Sequence, residues 1–190
     1  MTGDLVTALS NHEVDDHNGV VMAGCLDAEQ FNRLPEKERM RLLLQVCASP
    51  VWARRVLEGG PFGDAEALLD RADRVLADLA DTGLAAALDG HPRIGAEPDD
   101  ADSAREQAMV AGAGDAVKAE LVAQGRRYED RFGYAYLVCA SGRTAEDLLG
   151  VLTDRLTNDP ETERRVMRSE LAAINRLRLR RLLSREADRA

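Results

Sequence analysis

Apolar side chains recur along most of this chain at three- and four-residue steps, the period of helices that each bury one face. "PEKERMRLLLQVCAS" opens with Pro35 and Glu36 and carries Met40, Leu43, Leu44 and Cys47 on one stripe before Pro50. "WARRVLEGG" stops at Gly59 and Gly60, ahead of Pro61. In "GDAEALLDRADRVLADLA", Asp64 takes the N-cap position and Leu68, Leu69, Ala72, Val75, Leu76 and Leu79 form the buried stripe. Residues 85–88 predict one more short helix, followed by a loop rich in Pro, Gly and Asp over residues 89–102. "SAREQAMVAGAG" and the long "GDAVKAELVAQGRRYEDRFG" are again helical in pattern. Two further helix starts carry their own signals: Thr144 and Asp147 have capping-box spacing, and Asp159 precedes Pro160 at a first helical position.

One stretch breaks the pattern. "YAYLVCASG" is β-branched and aromatic, but no second strand is available to pair with it, so it reads as a buried helical or extended segment. The fold expected is therefore all-α, a single-domain bundle of about seven or eight helices. Residues 1–24 lack a sustained period and read as a flexible extension to a helical domain over 25–190. Within that extension "HEVDDH", His12 to His17, matches no metal-ligand spacing and reads as a solvated acidic stretch, so no metal is expected.

The charge narrows the partners. A formal net charge of −9 over 190 residues argues against nucleic acid, whose phosphates need a clustered basic face. No run approaches the roughly 18 apolar residues of a membrane span, and no basic-then-apolar leader opens the chain. Cys25, Cys47 and Cys139 are far apart and form neither a disulfide framework nor a zinc site. Cys139 sits in an apolar run and reads as a buried thiol rather than a nucleophile. Together these predict a cytoplasmic protein.

Candidate chemistry concentrates in three places. His91 lies in "GHPRIGAEP", where Pro92 biases it away from helical geometry and holds the imidazole on a loop. An imidazole exchanges protons near neutral pH, although a loop histidine is also compatible with a plain surface role. Ser103, Glu106 and Gln107 share one helical face at i, i+3 and i+4; the competing reading is a capping box with no chemistry. Arg143 stands between Gly142 and the N-cap Thr144, where a guanidinium beside unpaired N–H groups suits an anion or a ureido carbonyl. Arg93 is a second cation, read as structural.

"HPRIG" at 91–95, "SAREQA" at 103–108 and "YEDRFGYAYLVCASGRTAEDLL" at 128–149, in that order, resemble the 2-oxo-4-hydroxy-4-carboxy-5-ureidoimidazoline (OHCU) decarboxylase family of urate breakdown. "FNRLPEKE", "SPVWARRVLEGGPF" and "LTNDPETE" resemble further segments of that family, so the likeness runs from about residue 25 to 185. The chain departs from the family pattern at Ala135, where proline is frequent, and near Arg126, where asparagine is. The resemblance implies release of CO2 from OHCU to give (S)-allantoin, and a homodimer. Lys37 and Lys118 are the chain's lysines, both in amphipathic stretches, and no glycine-rich phosphate loop is present, so no cofactor is expected. A ring C=N next to the carboxyl-bearing carbon lets the substrate act as its own electron sink. Proton and charge demand then assign His91 to proton transfer with Glu106 as its partner. Pro92, Ser103, Gln107 and Arg143 fall to substrate binding. The alternative is a non-catalytic helical binding protein, in which His91, Glu106 and Arg143 lie scattered rather than converging on one pocket.

Overall fold

The computed structural model describes residues 26–89, 91, 93–94 and 101–184; the expected extension, with "HEVDDH", and Pro92 lie outside them. Among the described residues there are ten helices and no strand. They are α1 (Ala28–Arg33), α2 (Glu36–Val46), α3 (Pro50–Leu57), α4 (Ala65–Ala77), α5 (Asp81–Asp89), α6 (Ala101–Glu106), α7 (Ala108–Ala111), α8 (Asp115–Phe132), α9 (Ala145–Arg155) and α10 (Pro160–Ser184). The count exceeds the periodicity reading because α1 and α7, at six and four residues, are too short to show a helical period. "SAREQAMVAGAG" also divides at Gln107 into α6 and α7.

The helix starts follow their caps. Asp64 accepts from Ala67 N–H at 2.7 Å. Thr144 and Asp147 make both halves of a capping box, and Asp159 accepts from the N–H groups of Glu161 and Thr162 at 3.0 Å each. Each such cap satisfies N–H groups that the first turn of a helix leaves unpaired. Gly133 closes α8 at φ 81°, a left-handed position that side-chain-bearing residues rarely adopt.

Two apolar cores result. The first joins α1 to α5 with α10 around Leu43, Trp52, Leu68, Leu69 and Leu171; the Trp52 indole N–H donates to the Ala72 carbonyl at 3.1 Å. The second lies between α8 and α9 around Leu121, Tyr128, Leu148 and Leu152. Helix α10 is fixed on α4 by Arg176, which reaches Asp73 at 2.5 Å, Asp70 at 2.6 Å and Glu66 at 3.2 Å.

The stretch "YAYLVCA" runs between the two cores as an extended segment. Its successive side chains go to different places: Tyr136, Val138 and Ala140 enter the second core, while Leu137 and Cys139 pack against the first. With no neighbouring strand, its backbone groups find other partners. Arg155 donates to the Leu137 carbonyl at 2.8 Å, and Cys139 N–H donates to Glu170 at 2.9 Å. Arg155 belongs to a buried node in which its guanidinium and the Tyr128 hydroxyl both donate to Glu163, and Asn158 donates to the other Glu163 oxygen at 2.7 Å. Charges buried to this degree persist because each is paired and hydrogen-bonded. Burial, and then the bond to Glu163, push the Tyr128 hydroxyl far above the ordinary phenol range.

Candidate active site

The loop leaving α5, the α6 helix, the extended segment and α10 meet at one small cavity. His91 and Ile94 line it from the loop, and Ser103, Glu106 and Gln107 from α6 and its end. Leu137, Val138 and Ala140 line it from the extended segment, and Ile174 and Arg178 from α10. Four of the residues singled out in the sequence, His91, Ser103, Glu106 and Gln107, are thus brought together, and Pro92 lies outside the described residues.

His91 is held by the last turn of α5. Its backbone N–H donates to the Leu88 carbonyl at 3.0 Å, and ring Nδ1 lies 2.8 Å from the Ala87 carbonyl. A carbonyl only accepts, so Nδ1 carries the hydrogen, and in the neutral ring the basic lone pair is on Nε2. The loop geometry thereby selects one tautomer, the arrangement a proton-transfer imidazole needs.

Glu106 does not act as a helix cap. Ser103 is the third residue of α6, not its N-cap, and the Glu106 carboxylate faces α10. Arg178 forks onto it, Nε to Oε1 and Nη2 to Oε2 at 2.9 Å each, and the same Nη2 donates to Ser103 Oγ at 3.1 Å. Arg181 adds a bond to Oε1 at 3.2 Å. The Arg178 and Glu106 side chains are 5% and 8% exposed, so this is a buried ion pair with planar, two-point geometry.

Arg143 lies elsewhere. It is not among the residues lining the cavity, and its Nη1 is 3.9 Å from Glu170 Oε1. The helix N-terminus beside it is already filled, since the Asp147 carboxylate accepts from Thr144 N–H at 3.1 Å. Glu170 in turn holds Cys139 N–H, so Arg143 borders the cavity only through Glu170 and the extended segment. Arg93 turns outward and forks onto Glu129 of α8 at 2.6 and 3.1 Å. Among the described residues no group of three or more His, Cys, Asp or Glu side chains is placed to hold a metal ion.

Residues 32–180 match the OHCU decarboxylase family. The chain belongs to that family. It is 29% identical over 149 residues to the uric acid degradation bifunctional protein TTL of Arabidopsis thaliana, covering 74% of this chain and 46% of that one. It therefore spans less than half the length of that relative. It is 28% identical over 164 residues to the 2-oxo-4-hydroxy-4-carboxy-5-ureidoimidazoline decarboxylase of Amia calva, covering 81% of this chain and 93% of that one. The crystal structure of an OHCU decarboxylase in the presence of (S)-allantoin is similar at a TM-score of 0.68 and 25% identity, over 80% of this chain and 99% of that one.

In this OHCU decarboxylase family chain, sequence reasoning passed over Arg178. The signal was available: Leu171, Ile174, Asn175, Arg178 and Leu182 fall at helical steps, so Arg178 sits on the buried stripe of α10, where a charge requires a partner. Arg155 gives the same signal at the end of Leu148, Leu152 and Arg155 in α9. Such spacing can mark a buried charge, but not which carboxylate it meets.

Proposed function

We propose that this chain decarboxylates OHCU to (S)-allantoin and CO2, with His91 and Glu106 as its catalytic residues. The observation that carries the reading is the convergence of His91 and the Arg178-clamped Glu106 on one cavity, inside a chain of this family.

The substrate supplies its own electron sink. As the bond from ring carbon to carboxylate breaks, its electron pair forms a C=C with the neighbouring ring carbon, the C=N π pair moves onto nitrogen, and the nitrogen takes up a proton from water. The enol that results loses its hydroxyl proton and gains one at the neighbouring ring carbon, which fixes the product's handedness. His91 Nε2 takes the hydroxyl proton. Glu106, held in place by the Arg178 fork, accepts from the substrate and stabilises the imidazolium that forms. Ser103 and Gln107 orient the ring. Arg178 is already neutralised by Glu106, so no lone cation anchors the carboxylate that must leave. The anion-binding role expected of Arg143 becomes a supporting one, exercised through Glu170 on the extended segment. The cavity, about 20 Å³, has room for about one water, so substrate entry moves its walls outward.

The same reading includes a cofactor-independent reaction, a homodimer and a cytoplasmic location. The free Cys47 and Cys139 thiols support the last of these. Freshly generated OHCU added to the purified protein, followed by circular dichroism, tests the function. We expect (S)-allantoin to form faster than the spontaneous reaction, with no loss of rate after dialysis against chelator. Formation at the background rate, without enantiomeric excess, would overturn it.

A further inference from the structure

Next to the cavity, and sharing only Ile94 with it among the described residues, lies a cleft of about 440 Å³ that the proposed reaction does not use. Its volume falls within the roughly 300–1,000 Å³ of small-molecule sites. Ile94, Leu121, Val122 and the Tyr136 ring form an apolar floor. The Tyr136 hydroxyl donates to the Leu148 carbonyl at 3.2 Å, so its polar atom is already partnered and its ring carbons complete the apolar floor.

Gly125 forms part of the wall, inside the 18 residues of α8. A Cβ built there meets nothing within 4 Å, and the backbone does not have positive φ. Neither packing nor conformation requires glycine, although glycine in a helix interior costs roughly 0.5–1 kcal/mol relative to alanine. Its effect is to leave that wall flat and the cleft open. Arg93, Arg126 and Glu129 surround this opening. Among the described lining residues, two arginines stand against one glutamate: Arg93 is forked onto Glu129, whereas the Arg126 guanidinium makes no ion pair with a described residue.

We propose that this cleft is a second binding site, for a planar heterocyclic monoanion. The ring lies against Gly125 between Ile94 and Tyr136, and the charge lies on Arg126. The flat wall and apolar floor select a ring, and the single unpaired guanidinium selects one negative charge. Urate is flat, heterocyclic and singly negative at neutral pH, and it is the probe.

Isothermal titration of the full chain with urate tests the site, and it needs no turnover, so it reads independently of the proposed reaction. We expect saturable one-site binding, weakened about tenfold or more by Arg126→Ala, because a hydrogen bond to a charged group is lost. Gly125→Leu should fill the cleft and abolish binding while keeping or raising the melting temperature. OHCU turnover in both variants should stay within about twofold of the parent, as neither residue lines the catalytic cavity. Absence of saturable binding overturns the proposal. Binding that survives Gly125→Leu, or that is lost in His91→Asn, overturns it too, because the urate would then occupy another place.

Discussion

Replacing Arg178 by methionine removes a guanidinium that makes two 2.9 Å bonds to Glu106 and a 3.1 Å bond to Ser103, in a place where both charged side chains are under 10% exposed. Breaking such a pair from one side costs about 3–5 kcal/mol, because the remaining charge stays buried without its partner. Arg181 still reaches Glu106 at 3.2 Å, which places the expected loss near the lower end, about 3 kcal/mol. For a chain of this size each kcal/mol moves the melting temperature by about 2–4 °C, so the expected drop is roughly 6–12 °C. Adding Glu106→Leu removes the stranded charge and should restore most of that loss, since a well-packed apolar pair is often as stable as a buried ion pair. Activity should follow the opposite course. Glu106→Gln keeps the side-chain shape but strands Arg178, so it should lower the melting temperature as Arg178→Met does while still folding, and lose at least about 100-fold in turnover, comparable to His91→Asn, with the double variant little worse than either. Calorimetry and the circular dichroism assay read the two effects separately. A loss below about 1 kcal/mol for Arg178→Met would mean the pair is no stronger than a surface contact. Near-normal turnover in Glu106→Gln would remove the carboxylate from the mechanism.

Glu170→Ala deprives Cys139 N–H of its acceptor and should raise KM several-fold through the extended segment, while Glu170→Gln keeps an acceptor oxygen and should recover most of it; equal defects in both would refute the positioning role. The chain's tyrosines, Tyr128, Tyr134 and Tyr136, all have hydroxyls pushed above the usual phenol range, chiefly by burial. Their contribution is full below the unfolded pKa near 10 and is lost as pH rises above it, so absorbance at 295 nm should show no tyrosinate from the buried Tyr128 and Tyr136 until the protein unfolds. A step near pH 10 in folded protein would contradict this. The Asp147 carboxyl is held below its ordinary value of 3.8 by its bonds to Thr144, so its contribution is present above that pH and fades as pH falls through the lowered pKa. The melting-temperature gap between the parent and Asp147→Asn should therefore close in acid; a gap independent of pH would show that the carboxylate charge is not what caps α9.

Period and caps determined most of the secondary structure from the sequence alone. The residues at Asp64, Thr144, Asp147 and Asp159 satisfy backbone N–H groups within three positions of themselves, so their effect is local and readable. The face shared by Ser103, Glu106 and Gln107 was legible for the same reason, because i, i+3 and i+4 neighbours are fixed by the helix itself. What that face meets was not. The clamp on Glu106 comes from residues 72 and 75 positions away along the chain. Only the packing of α10 into the first core decides that Arg178, rather than Arg143, stands at the cavity. "YAYLVCA" shows the same division. Its β-branched and aromatic content was visible in the sequence, but its two faces enter different cores, and its backbone is held by Arg155 and Glu170 from separate helices. Contacts between distant segments depend on how amphipathic faces dock, and hydrophobic burial, which drives that docking, is non-directional, so the partner of a buried charge is set by the tertiary fold and not by the spacing around it.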